Sequence, residues 1–181
     1  MSSPSFRYHP DPIATGSVRP SGAACRACGR ARGLIDTGPV YGGEEDFDEA
    51  IGPWCIADGM AHERLDVEFA DPRGVGGYGE WETVPATVAL EVAYRTSCFV
   101  GWQQARWFTH CGDSAEFLGV AGRPELEAFG AEAIAAIRQE CGYEGEEWDS
   151  YFLALDRDHG PTAYVFRCRH CGKLGGYSDC H

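Results

Sequence analysis

The apolar positions of the chain change period along its length. Between 83 and 98, "TVPATVALEVAYRTSC" places Val84, Val88 and Val92 at helical spacing, with Thr83 and Pro85 as start signals. The stretch 123–142 predicts the clearest helix: Pro124 at its start, Leu126, Phe129, Ile134, Ile137 and Cys141 along one face, and Gly142 as its stop. In the last third, "SYFLALDRD" and "TAYVFRCRH" read as β-type runs separated by "HGP", a hairpin signal, and "KLGGYSDCH" as a third, short strand. "RGLIDTGPVYG" reads as a short strand and turn, and "IADGMAHERLDVEF" as a short helix running into the glycine-rich loop "DPRGVGGYG". Residues 1–24, rich in Pro, Ser and Gly, predict an extended arm. The expected class is α+β: one small mixed domain over 1–181, with a zinc-ribbon-like subregion at 25–60 and an antiparallel β-hairpin with a knuckle at 150–181.

Composition changes this picture little. Apolar residues make up 44% of 181 positions, with five Trp, eight Tyr and nine Phe, enough to bury a core. No apolar run approaches a membrane span, and the first residues lack the apolar segment of a secretory signal, so a cytoplasmic protein is expected.

Charge does more. Fifteen basic against 28 acidic residues leave a formal charge of −13, and Lys173 is the one lysine. Phosphate backbones call for clustered basic side chains, so direct nucleic-acid binding is not expected, although zinc ribbons are common in DNA-associated factors. A strongly acidic surface suits encounter with a basic protein, a nuclease toxin being one example. The run Glu44, Glu45, Asp46, Asp48, Glu49 reads as a solvated face or helix start, or as a patch for such a partner.

The chemistry lies in nine cysteines. In a reducing compartment, paired cysteines at short spacing more often hold metal than form disulfides. Cys25-x-x-Cys28-Gly29 and Cys168-x-x-Cys171-Gly172 share the knuckle form, in which two intervening residues let both thiolates face one ion and the glycine permits a positive-φ turn. Three arrangements compete. Cys25, Cys28, Cys168 and Cys171 share one zinc; or Cys25, Cys28 and Cys55 form a site completed by His62, Asp58 or another group, while Cys168 and Cys171 close their own with Cys180 and His170 or His181; or one or both pairs are metal-free. The candidate metal ligands are therefore Cys25, Cys28, Cys55, Cys168 and Cys171, and the expected cofactor is structural zinc.

In "THCGD", His110 and Cys111 form a Cys/His pair, but neighbours in a strand point to opposite faces and do not readily activate each other. A structural histidine beside a buried thiol, or a zinc ligand, are the other readings. No HExxH, GxSxG or zinc-deaminase signature is present, and the glycine-rich loop lacks the ending of a phosphate loop. The expected function is that of a non-catalytic zinc-binding interaction protein. The alternative is a hydrolase-like zinc enzyme with an open metal position.

Taken in order, "FRYHPDPIATGSV", "CRACGRARG", "TGPVYG", "PWCIADGMA", "WQQARWFTHCGD" and "YVFRCRHCG" resemble the CbrC family of bacterial proteins, over about Phe6 to Cys171. The resemblance implies a setting of colicin tolerance, and an immunity-like role against a bacteriocin or nuclease-type toxin. It also implies a second knuckle, CPWC, at residues 52–55. Here Gly52 stands where the first cysteine of that knuckle is expected.

Overall fold

The computed structural model describes residues 4–43 and 45–180. Three strands near the C-terminal end organise the rest: β7 (Glu116–Ala121), β8 (Thr162–Arg167) and β9 (Leu174–Asp179), antiparallel in that order. Period-2 alternation gives the sheet two apolar faces. Tyr164, Phe166, Tyr177 and Phe117 point into a large core with Phe99, Trp107 and the N-terminal residues Phe6 and Tyr8. Ala163 and Val165 point into a second core with Leu126, Ala133, Ile137 and Trp148. The rings of the first core pack tightly, with Phe99 stacked on Phe117 at 4.0 Å between centroids.

The second core is helical. Where one helix is expected over 123–142, two form, α4 (Arg123–Phe129) and α5 (Ala131–Cys141), split at Gly130, whose φ of 98° no right-handed helix accommodates. The run "SYFLALDRD", read as a strand, lies mostly in a third helix, α6 (Gly145–Ala154). Trp148 is buried on its inner side, with Phe152 half-buried beside it. The C-terminal hairpin is present, but its strands are β8 and β9, and the CxxCG turn at 168–172, not "HGP", joins them.

The first core is wrapped by short elements. β1 (Val18–Pro20) pairs with β2 (Leu34–Asp36), and β3 (Tyr41–Gly42) with β4 (Val67–Glu68). Helices α1 (Pro53–Ala57) and α2 (Met60–Leu65) replace the single expected helix, because Gly59 at φ 85° breaks the run. Helix α3 (Ala86–Arg95) lies where expected, with Val92 fully buried. A tight hairpin, β5 (Thr109–His110) with β6 (Asp113–Ser114), completes the set. The arm read as extended is stitched into the body: Tyr8 donates to Asp113 at 2.8 Å, Phe117 N–H donates to the Tyr8 carbonyl, and His9 bridges the Ser97 carbonyl and the Thr15 hydroxyl.

One buried carboxyl makes stability pH-dependent. Asp36 is buried, accepts from the Ser97 hydroxyl and Gly38 N–H, and lies beside Cys98. Burial pushes its pKa from 3.8 up to about 7, against those two hydrogen bonds. The folded chain therefore takes up this proton at higher pH than the unfolded one, so stability falls as pH rises from about 4 to 7 and levels above that. His9 nearby is held down at about 4 by its own burial, so it stays neutral across most of that window. Asp36→Asn should flatten this component, gaining up to roughly 4 kcal/mol on the wild type between pH 4.5 and 8. Urea melts of both proteins check it; a stability difference that does not change with pH contradicts it.

Candidate metal centres

Both knuckles sit in the connection of a β-hairpin, and both turn the same way. In the first, between β1 and β2, Cys25 N–H donates to the Arg30 carbonyl and Gly29 N–H to the Cys25 carbonyl, with Gly29 at φ 72°. In the second, between β8 and β9, Cys168 N–H donates to the Lys173 carbonyl and Gly172 N–H to the Cys168 carbonyl, with Gly172 at φ 78°. Only a residue tolerant of the left-handed region closes such a turn while leaving both thiols on one side.

The two knuckles do not meet. Cys25 and Cys28 gather with Cys55, which α1 presents from its first turn. Cys168 and Cys171 gather with His110 and Cys111. Within each set the ligand atoms all lie within 4.8 Å of one another. A zinc shared by Cys25, Cys28, Cys168 and Cys171 is therefore not what the fold builds.

Among the described residues, the other candidate ligands join neither set. His62 places Nδ1 at 2.9 Å from the Val67 carbonyl and stacks on Tyr94, and Asp58 accepts from Met60 N–H. His170 meets Asp113, and Cys180 is exposed with its carbonyl accepting from Gln103. His181 lies outside the described residues, as does Glu44 of the acidic run.

His110 and Cys111 enter the second set through a backbone device. The β5–β6 turn has two residues, Cys111 at φ 56° and Gly112 at φ 68°, the pair of positive φ values that a type I′ hairpin requires. Strand alternation does not apply across such a turn, so the two side chains converge. His110 Nδ1 lies 3.2 Å from Cys111 Sγ and 3.4 Å from Cys171 Sγ, and the two sulfurs are 3.8 Å apart. Glu82 clamps the turn by accepting from Gly112 N–H at 2.7 Å. Asp113, almost wholly buried, holds the hairpin against the knuckle, meeting Arg169 and His170 of the knuckle and Tyr8 and Arg7 of the arm. Burial opposes its charge, but these partners outweigh it and keep its carboxyl below the usual range.

The electrostatics of each set ask for a cation. Burial works against the Cys168 thiolate, yet the N–H groups of Cys171 and His170, with hydrogen bonding to His110 and Cys171, bring its pKa down to about 6. Its neighbour Cys111 is pushed up to about 11 by desolvation and by sharing space with those sulfurs. The first set repeats this: Cys28 is lowered despite burial, by Arg30 N–H and the neighbouring thiols, and Cys55 is raised by burial and by Cys28 and Cys25. One thiolate forms readily and suppresses the next, an opposition that a divalent ion removes. The donor chemistry, Cys₃His in one set and three thiols in the other, fits zinc.

A cleft of about 340 Å³ opens beside the second set, between Trp81, Phe108, His110, Gln139 and Lys173. The remaining cysteines pack as thiols, Cys98 in the first core and Cys141 against the second. No helix of the described residues is long and apolar enough to cross a membrane.

Comparison with known proteins places the chain. The model of the uncharacterised protein family UPF0167 matches residues 3–180. UPF0167 proteins of Mycobacterium bovis and Mycobacterium tuberculosis are each 44% identical to it, over 97% of this chain and 92% of theirs. One from Pseudomonas aeruginosa is 38% identical, over 94% of this chain and 93% of its own. No solved structure matches. These matches carry the UPF0167 name and not that of the CbrC family, so the resemblance drawn from the sequence is corrected. The colicin-tolerance setting, which rested on that resemblance alone, goes with it.

Proposed function

We propose that this chain, which belongs to the UPF0167 family, is a zinc-stabilised binding protein whose metal centres are structural and whose acidic surface meets a basic protein. The observation that carries the reading is the set His110, Cys111, Cys168 and Cys171, four protein donors drawn from two hairpin connections. Four such donors fill a tetrahedron and leave no position for a substrate, which is the hallmark of structural zinc. The ion fastens the β5–β6 turn to the β8–β9 knuckle, beside the cleft and under the Asp113 network.

The binding half of the reading rests on charge. The chain carries −13, and its acids form exposed runs, Glu45, Asp46, Asp48 and Glu49 in one loop and Glu144, Glu146, Glu147 and Asp149 at the start of α6. Such runs steer a basic partner and weaken with salt.

Native mass spectrometry of freshly purified protein tests the metal half. Zinc should be retained, and His110→Ala and Cys55→Ser should each release an ion that the other variant keeps. Cross-linked capture from the native host tests the other half. A basic protein should be enriched at low salt and lost when Glu146, Glu147 and Asp149 are replaced by lysine. A chain that holds no zinc, or whose captured partner ignores both salt and these charges, contradicts the reading.

A further inference from the structure

The two centres differ by one donor, and the difference traces to Gly52. This residue caps the N-terminus of α1, three positions before Cys55, with φ −76° and ψ 138°. That conformation is ordinary for any L residue, so the backbone does not call for glycine here. What glycine leaves out is a Cβ that would press on Cys25. A Cβ at position 52 would stand 3.3 Å from Cys25 Cβ and 3.6 Å from Cys25 Sγ, with the Leu34 carbonyl next at 3.9 Å. A side chain at 52 therefore points into the Cys25, Cys28, Cys55 set, and here there is none. The side chains that could have stood in, His62 and Asp58, do not join the set of Cys25, Cys28 and Cys55.

We infer that the Cys25–Cys28–Cys55 centre holds its ion with one coordination position open on the Gly52 side, and that this position takes a small exogenous thiolate. The inference rests on the zinc reading above and adds a ligand site to it. Three thiolates select a soft or borderline ion, and such an ion prefers a further sulfur to a carboxylate. Size follows from burial. Cys25, Cys55 and Gly52 are buried and Cys28 is the partly exposed member, so the ligand must be small enough to reach the ion past Cys28. Arg32, close to Cys28 and lying over the Trp54 ring at 5.3 Å, offsets the added negative charge. Binding is a ligand exchange: the thiol releases its proton to solvent, and its sulfur replaces a water on the ion.

Cobalt-loaded full-length protein tests this, because sulfur-to-cobalt charge-transfer bands count thiolates. Cys55→Ser keeps the second centre alone, so subtracting its spectrum isolates the first centre of the wild type and of each Gly52 variant. Titrating 2-mercaptoethanol should raise the wild-type first-centre band by about a third, as three thiolates become four. The Gly52→Cys band should already stand at the higher value and not respond. Gly52→Ala, which sets a methyl group against Cys25 without supplying a donor, should stay at the lower value and not respond, and it serves also if the cysteine variant fails to fold. Two cobalt ions per chain with a wild-type spectrum indifferent to the thiol overturn the open position but leave the zinc reading standing. One ion, confined to the second centre, does the same. No ion at all removes the zinc reading itself.

Discussion

Cys168→Ser is expected to lose one zinc and to melt well below the wild type. Cys168 is the buried member of the closed centre, and its backbone opens the knuckle that joins β8 to β9. An ion held there would tie this knuckle to the β5–β6 turn alongside Asp113 and would neutralise the crowded thiols. Structural zinc in isolated fingers is worth about 10–16 kcal/mol of apparent binding free energy. Here two apolar cores also hold the fold, so the expected loss is a fraction of that, roughly 3–5 kcal/mol, or about 6–20 °C in melting temperature for a chain of this size. Chelation should lower the wild type by at least as much. Cys141→Ser serves as the control. This half-buried thiol on α5 belongs to neither centre and should cost about 1 kcal/mol or less. Differential scanning calorimetry with and without chelator reads all three. A Cys168→Ser protein that melts with the wild type, or a wild type that ignores the chelator, contradicts the structural role.

Gly176→Ala is the second large effect, and it acts through packing alone. Gly176 lies in β9 opposite Val165, under α5. A Cβ there would meet the Tyr164 carbonyl oxygen at 2.1 Å and Ile137 Cδ1 at 3.1 Å, and the first of these is backbone that no rotamer change moves. The sheet or helix α5 must shift, breaking contacts on both apolar faces. Overpacking of this kind costs about 3 kcal/mol or more. Gly22→Ala, where nothing lies within 4 Å, should stay within about 0.5 kcal/mol of the wild type. Equilibrium urea unfolding separates the two, and equal midpoints would mean that β9 and α5 do not approach as described.

Local chemistry made the three thiols of the first set and half of the second readable in the sequence. The CxxCG form marks both knuckles because spacing and glycine together set thiol direction, and Cys55 stood out beside Trp54 as a lone thiol in need of partners. For the other half of the second set, His110 and Cys111, a zinc ligand is one sequence reading among several. Treating His110 and Cys111 as consecutive strand residues sends them apart, whereas the Cys-Gly step is itself a two-residue turn of the x-Gly kind that reverses a hairpin. The sharper signal was present in "THCGD", a polar residue and glycine between two β-type flanks.

The helices show the same pattern. Val92 and Ile137 mark faces that the structure buries, but the apolar period runs straight across Gly130, where the helix breaks. In "GEEWDSYFLAL" a short apolar run does not distinguish strand from buried helix. The acids Glu146 and Glu147 in its first turn were the deciding signal for α6. Which acids meet which arginines, and that Asp113 gathers Arg7, Tyr8, Arg169 and His170, depend on contacts between residues about 55 to 105 positions apart, which no local pattern carries.

X-ray absorption at the zinc edge of the purified full-length protein tests the central claim most directly. With two centres, one of Cys₃His and one of three thiolates plus a light donor, the average first shell should hold three sulfurs at about 2.3 Å and one nitrogen or oxygen at about 2.0–2.1 Å. Gly52→Cys should raise the sulfur average by about one half, since one of the two ions gains a fourth thiolate. A shell of four sulfurs in the wild type, as a site joining Cys25, Cys28, Cys168 and Cys171 would give, or a shell dominated by oxygen and nitrogen, would contradict it.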